Sequence, residues 1–533
     1  MRIRTAFVAT ATLLCVRCSN PAMPADGGDV ATPPDGPAAD IAAIDATLFD
    51  ALVPDSGQRD AAPTPVDVAP PPARCMAPSL ADVSRPTATV GTGTAASCTP
   101  AALQAAATAG GTIVFNCGAA PVTITVSTPI TVTRETVIDG GGLVTLSGGG
   151  ASRILFLDSA YPTPTPRLTV QRLTFRDGRT TAGGMDTAVG GAAIYRDGGS
   201  LTVIDCVFVD NRAPAPGQDI AGGAIYGFGG GETIISGSTF TNNSASNGGA
   251  VGSLNGHLTI INSSFTGNRA LGTGGNPGMG GCGGAIYMDG RGERTTLCGV
   301  TIRGSTAGAI GGAFFRVSND STGSFAMDRT TIDGNRVAAT TSGNAGGLYL
   351  QGLALNISNS TISRNQAFFN GGIWINTCTV QMTNSTIAEN TAVGSNGGGV
   401  WLGRMPTGTI RNCTIANNRS TAMGQVAGAI FGAGLTLVNT IVANNTAMYR
   451  PSCDTTRADG TGNLQWPAGS LCTMNPLVAD PMLGALGMQG GDTETLAPSA
   501  SSPARRIGMG CPSTDQRGRP RSEPCTAGAV EVP

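Results

Sequence analysis

Ten positions, Phe175, Phe208, Phe240, Phe265, Ile302, Ile332, Ile362, Ile387, Ile415 and Ile441, recur at intervals of 25 to 37 residues. Three residues after each comes Asn at eight of them: Asn211, Asn243, Asn268, Asn335, Asn365, Asn390, Asn418 and Asn444, with Gly178 and Ser305 as the exceptions. Between successive copies lies a glycine pair followed by small and apolar residues, as in Gly222-Gly223-Ala224-Ile225 and Gly283-Gly284-Ala285-Ile286. A drifting period of this length is the mark of a solenoid, in which each unit buries its apolar face only against its neighbours.

The local pattern selects the type of solenoid. Each unit carries short β-rich pieces, such as Leu258-Thr259-Ile260-Ile261 and Ala285-Ile286-Tyr287, interrupted every five or six residues by Gly, Asn, Ser or Thr. Helix pairs need apolar residues three and four apart over a dozen positions, and those interruptions forbid it. About three strands per unit, stacked at ~4.8 Å, predict an all-β chain wound as a right-handed parallel β-helix. In that reading Phe208, Phe240 and Phe265 point inward and stack. Asn211, Asn243, Asn268, Asn335, Asn365, Asn390 and Asn418 form a ladder at a corner, tolerating left-handed backbone angles and passing amide hydrogen bonds along the stack. Thr266 and Ala388, beside the stacked positions, are expected to face outward.

Around the repeats the chain divides into four parts. Residues 1–18 have a basic start, Met1-Arg2-Ile3-Arg4, and a short apolar run. They read as a secretory signal and not a membrane span. Cys18 is the candidate lipid-attachment site, with Cys15 as the other choice. Residues 19–74, rich in Pro and Asp, cannot bury enough surface to fold and read as a disordered tether. Residues 75–450 are the β-helix, opened by a short capping helix over 99–107 and by irregular strands near 112–115, 122–126, 130–133, 136–138, 144–146 and 154–157. Residues 451–533 form a disulfide-containing cap.

Twelve of the fourteen cysteines lie after residue 18, and an even number in an exported chain favours disulfides over thiol chemistry. Near neighbours suggest Cys98 with Cys117, Cys453 with Cys472 and Cys511 with Cys525. For Cys206, Cys298 and Cys413 the expected role is buried apolar filling. The net charge of −2, without basic clusters, gives no reason to expect nucleic acid. Every basic residue is Arg, which we read as coding bias.

Three resemblances follow from these residues. The Gly-Gly-Ala-Ile and Phe-x-x-Asn tetrapeptides resemble the repeats of chlamydial polymorphic outer-membrane proteins. The stretch from Thr112 through Gly142 is similar to the opening of pectin-lyase-like β-helices. The ending, Asp480 to Glu531, resembles the terminal region of choice-of-anchor Q domain proteins, which are bacterial surface β-helices. That family carries a sorting segment after the domain, and this sequence stops two residues beyond Glu531, so the resemblance implies anchoring from the N-terminus. It implies an exported, monomeric protein at the cell surface or outer membrane. The expected role is adhesin-like or structural, with an envelope or extracellular polysaccharide or protein as partner. The alternative is a polysaccharide lyase or hydrolase acting on acidic polysaccharides.

The residues themselves offer no catalytic constellation. A lyase of this fold needs carboxylates on neighbouring coils to hold Ca²⁺, and a hydrolase needs paired carboxylates. The pattern assigns no cofactor, and Ca²⁺ is without specific support. His257 reads as surface decoration, Asp139 as a structural turn, and Asp205, Asp210, Asp328 and Asp333 as solvated turn residues. The period-breaking loops, 213–220 and 269–282, are the expected binding face. Their lack of aromatics argues against a sugar-stacking cleft.

Overall fold

A computed structural model describes residues 75–159, 161–182 and 186–533. The expected signal segment and tether, with Cys15 and Cys18, lie outside the described residues. The remainder is a right-handed parallel β-helix with one α-helix, α1 (Pro100–Ala109). Thr99 caps α1 by accepting from the Ala102 N–H at 3.2 Å, Pro100 opens its first turn, and Gly110 ends it. Leu103 and Ala107 of α1 are fully buried against the first coils, so the helix closes the apolar end of the stack.

One coil shows how the sequence becomes the fold. His257–Ile261 forms a long face and Ser264–Thr266 a second face, which we call the ladder face. Arg269–Ala270 forms a short face, a loop follows, and Ile286–Gly290 forms the back face. Successive coils pair in parallel: the long and ladder faces join in one 26-stranded sheet, the back face has eleven strands and the short face seven. Phe208 pairs in register with Phe175 and Phe240, and Phe240 with Phe265. The Phe240 and Phe265 rings lie 4.6 Å apart and 4° from parallel, both fully buried.

The asparagines are buried inside the corner after the ladder face. Asn211 donates from Nδ2 to Asn243 Oδ1 at 3.0 Å and to the Phe175 carbonyl at 3.1 Å, while its own N–H donates to the same Oδ1 at 3.0 Å. Asn335, Asn365 and Asn390 repeat this arrangement. The left-handed residue is not the ladder Asn but the one before it: Asp210 (φ 55°), Asn242 (56°), Arg364 (56°) and Glu389 (60°) take that conformation, which turns the Asn side chain inward. At the last copy the phase also differs from the sequence reading. Ile441 pairs with Thr414 and Val442 with Ile415, so Val442 is the stacked residue and Asn445 the ladder member, leaving Asn444 as the left-handed position (φ 54°).

A second polar ladder, of hydroxyls, runs along the corner between long and ladder faces. The N–H of Cys206 donates to Ser238 Oγ, that of Ser238 to Ser263 Oγ, and that of Thr330 to Ser360 Oγ, at 3.0 to 3.1 Å. In the early coils the expected strands at 136–138 and 144–146 merge into Thr136–Ser147, with a register shift between Asp139 and Val144. The Gly141 N–H donates to Asp139 at 2.8 Å and fixes the bulge.

Residues after the last coil double back along the ladder face. Gln516 donates to Thr361 Oγ1 at 3.0 Å and accepts from Thr386 Oγ1 at 2.7 Å. Leu496, Ala504 and Ala527 pack on Ala388, Ala416 and Ala443. Ala388 is therefore buried, against the expectation of an outward residue, because this segment supplies a second layer that the strand alternation alone does not reveal. Thr266, on the uncovered coils, is exposed.

Four disulfides are formed: Cys98–Cys117, Cys453–Cys472, Cys511–Cys525 and Cys75–Cys298. Cys298 is thus not filler. It ties the first described residue to the middle of the solenoid, and residues after Cys75 run back along the coils, with the Ala81 N–H donating to Gln171 Oε1 at 2.8 Å. Cys206, Cys282, Cys378 and Cys413 are buried thiols. Among the described residues no helix is long and apolar enough to cross a membrane.

Candidate functional site

The short face has room for one outward residue per coil, the residue directly after the ladder Asn. In register these are Arg179, Arg212, Ser244, Arg269, Thr306, Arg336, Gln366, Thr391, Arg419 and Thr446. Five of the ten are Arg and none is acidic, in a chain whose net charge is −2. At ~4.8 Å per coil the rank spans about 43 Å. Arg336 Nε lies 3.4 Å from Thr306 Oγ1 and Arg419 Nε 3.1 Å from Thr391 Oγ1, so these guanidinium groups lie along the strip.

At the N-terminal end of the rank the surface is hollowed into a groove of about 760 Å³, lined by Arg179, Thr180, Arg212, Pro214, Arg269 and Leu271 among others. Its one carboxylate, Asp210, sits 3.6 Å from Arg212. That pair is exposed, with side-chain accessibilities of 58% for Arg212 and 36% for Asp210, and contributes little to stability. The planar fork of a guanidinium suits oxyanions.

The two period-breaking loops fold onto each other beside this groove. Ser246 Oγ donates to the Gly217 carbonyl at 2.6 Å, and the Gly278 N–H donates to Gln218 Oε1 at 3.3 Å. Asn276 pins the longer loop to the back face by donating to Tyr287 Oη at 2.9 Å and Asp289 Oδ2 at 2.7 Å. From Tyr287, which the longer loop contacts, an aromatic rank that the sequence reading did not find runs along the back face. It includes Tyr287, Phe315, Tyr349, Trp374, Trp401 and Phe431, in register on the outer side of the back face. Trp374 and Trp401 stack at 4.7 Å and 16°, Tyr287 and Phe315 at 5.4 Å and 8°. Rings stacked on each other along the axis present only edges outward, so this rank packs coils together and offers no free ring face to a sugar.

The other candidate residues are dispersed. Asp139 is buried and accepts from Gln171 Nε2 at 2.8 Å and Arg172 Nε at 3.0 Å. Burial pushes its carboxyl up, but the Arg172, Gln171 and Gly141 donors outweigh that and hold it below the usual range. Asp328 is also buried rather than solvated: it pairs with Arg329 at 2.9 Å and accepts from Ser358 and Asn359, because the corner beside Cys298 encloses it. Its neighbours Cys75 and Cys298 are joined to each other, which removes both as metal ligands. Asp333 pairs with Arg303 and Arg364. Asp205 is exposed. His257 is half-buried at the start of its strand and accepts from the Arg294 N–H at 3.0 Å, so it holds a backbone bond rather than decorating the surface. Burial, then the Arg294 charge, push its imidazole below the ordinary value.

A family described as a right handed beta helix region matches residues 255–450. Among solved structures, a pectate lyase, Pel9A, is 16% identical over 81% of this chain and 91% of its own, with a TM-score of 0.35. PfbA, a surface adhesin of Streptococcus pneumoniae, is 12% identical over 77% of this chain and 99% of its own, with a TM-score of 0.27. No curated protein matches the sequence.

Proposed function

We propose that this protein is an exported β-helix held at the cell surface, with an adhesin-like or envelope role in which it binds an extracellular polymer without cleaving it. The observation that carries the reading is the groove of the short face: three solvated guanidinium groups line it, and its one carboxylate is turned to Arg212. Hydrolysis of a glycosidic bond calls for two carboxylates flanking that bond, and a Ca²⁺-assisted lyase for several converging ones. The groove instead suits the holding of a ligand. Export is supported by the basic and apolar start of the sequence and by the four disulfides. In this reading residues 19–74 tether the solenoid, Cys18 carries a lipid, and the ending acts as the terminal cap of a choice-of-anchor type protein.

Two measurements test it. Purified protein incubated with pectins, alginates and related uronates, with and without Ca²⁺, should release no product; robust cleavage abolished by an acid-to-Ala change would establish the lyase or hydrolase reading instead. Protease treatment of intact cells should remove the solenoid, and a fatty-acid analogue should label the protein but not Cys18→Ala. A solenoid shielded in intact cells would end the surface assignment.

A further inference from the structure

We propose that the arginine rank of the short face is a binding strip for an extended acidic glycan, running from the groove at Arg179 toward Arg419. The inference rests on the binding role proposed above and names its ligand class. Three observations lead to it. The strip is of one sign: Arg179, Arg212, Arg269, Arg336 and Arg419 share one register line on which no acid stands. Off the strip several arginines are ion-paired, as in Arg172 with Asp139, Arg364 with Asp333 and Arg521 with Glu531. Among the described residues, Arg179, Arg269, Arg336 and Arg419 have no ion-pair partner, and only Arg212 has one, weakly, in Asp210. Lastly, the strip is periodic, because the solenoid repeats it at ~4.8 Å per coil.

The spacing selects among polyanions. Duplex DNA carries a charge about every 1.7 Å of axis, whereas the five cations from Arg179 to Arg419 span about 38 Å and stand roughly 10 Å apart on average, too sparse to match it. Single-stranded nucleic acid is held on aromatic platforms, and the groove lining includes no aromatic side chain. An extended polysaccharide carries its carboxylates or sulfates one or two sugars apart, a spacing comparable to one or two coils. Its hydroxyls match the Thr and Ser that alternate with the arginines: Ser244, Thr306 and Thr391. Each guanidinium can donate two parallel hydrogen bonds to a carboxylate or sulfate, with no covalent step.

The test is binding of the intact protein to size-defined polygalacturonate and heparin-type oligosaccharides, which separate carboxylate from sulfate as the source of charge. Neutral dextran, polyglutamate and duplex DNA run alongside at low and physiological salt. Affinity for at least one acidic glycan is expected, falling as salt rises. The triple variant R179Q/R212Q/R269Q should weaken it about tenfold, as three exposed charge contacts would. R336Q/R419Q should weaken long oligosaccharides more than short ones, and Arg291→Gln, off the strip, should change nothing. Unchanged thermal unfolding shows that the variants fold. Absence of binding to every acidic glycan, equal binding by the triple variant, or preference for polyglutamate or DNA would overturn the proposal. Binding of a neutral glycan that survives both Arg variants would also overturn the strip, while leaving the surface-binding function standing.

Discussion

Asn243 donates from Nδ2 to Oδ1 of Asn268, one coil further on, at 3.0 Å, and its N–H donates to the same oxygen at 3.0 Å. Asn268 in turn donates to the Phe240 carbonyl at 2.9 Å. One side chain thus satisfies three groups sealed from water. Asn268→Ala should leave them unpaired and lower the unfolding free energy by roughly 1 to 3 kcal/mol. Denaturant unfolding checks this, and a variant as stable as the parent would show that the corner admits water.

The ladder face makes a sharper contrast. Phe265→Ala opens a cavity between Phe240 and Ile302 and should cost about 3 to 5 kcal/mol. Thr266→Glu, on the uncovered coils, should change stability by no more than ~0.5 kcal/mol. Ala388→Glu stands at the equivalent strand position, yet beneath Leu496, Ala504 and Ala527. It should displace the C-terminal segment, read as faster proteolysis of residues 480–533, because a charge buried there has no partner. Equal tolerance at Thr266 and Ala388 would mean that this segment does not cover the ladder face.

The sequence revealed the coil because the coil is a local rule: an apolar residue, a turn and a glycine pair at fixed offsets determine one another. What it concealed lies at long range or in phase. The arginine strip was present as Asn-Arg at 211–212, 268–269, 335–336 and 418–419, but it becomes a rank only once the register is known. The aromatic rank was masked by loops of differing length between coils. Ala388 became a core residue, and Cys298 a crosslink, through contacts with segments more than a hundred residues away.

His257 is the only histidine, so its imidazole resonances are unambiguous in a magnetic resonance titration. Its Nδ1 accepts the Arg294 N–H and must be unprotonated to do so. Burial and the Arg294 charge hold its folded pKa below about 6.5, the ordinary value. The unfolded chain then binds the proton first. His257 contributes its full stability above about 6.5 and loses it as pH falls from there toward the folded value. A midpoint at or above 6.5 would show that the strand start at His257 is open to solvent.

Cys75–Cys298 closes a loop spanning 223 residues, and it holds a segment with few other ties. Between Cys75 and Thr87 the chain is mostly exposed, its bonds to the coils including those of Ala81 to Gln171, of Asn262 to the Cys75 carbonyl at 3.2 Å, and of the Thr87 N–H to Thr112 at 2.8 Å. Cys75→Ser should therefore act at two levels. Locally, amide exchange in residues 76–86 should rise while the coils keep their protection, since the start of the segment loses its covalent tie and keeps side-chain hydrogen bonds such as that of Asn262. Globally, losing so long a loop closure should reduce resistance to complete unfolding by up to about 5 kcal/mol in the chain-entropy account. Cys298→Ser should give the same two effects, although residue 298 ends a long-face strand. Exchange unchanged in 76–86 for both variants would mean that the hydrogen bonds to Gln171, Asn262 and Thr112 hold the segment, and that the disulfide is not what fixes its path along the solenoid.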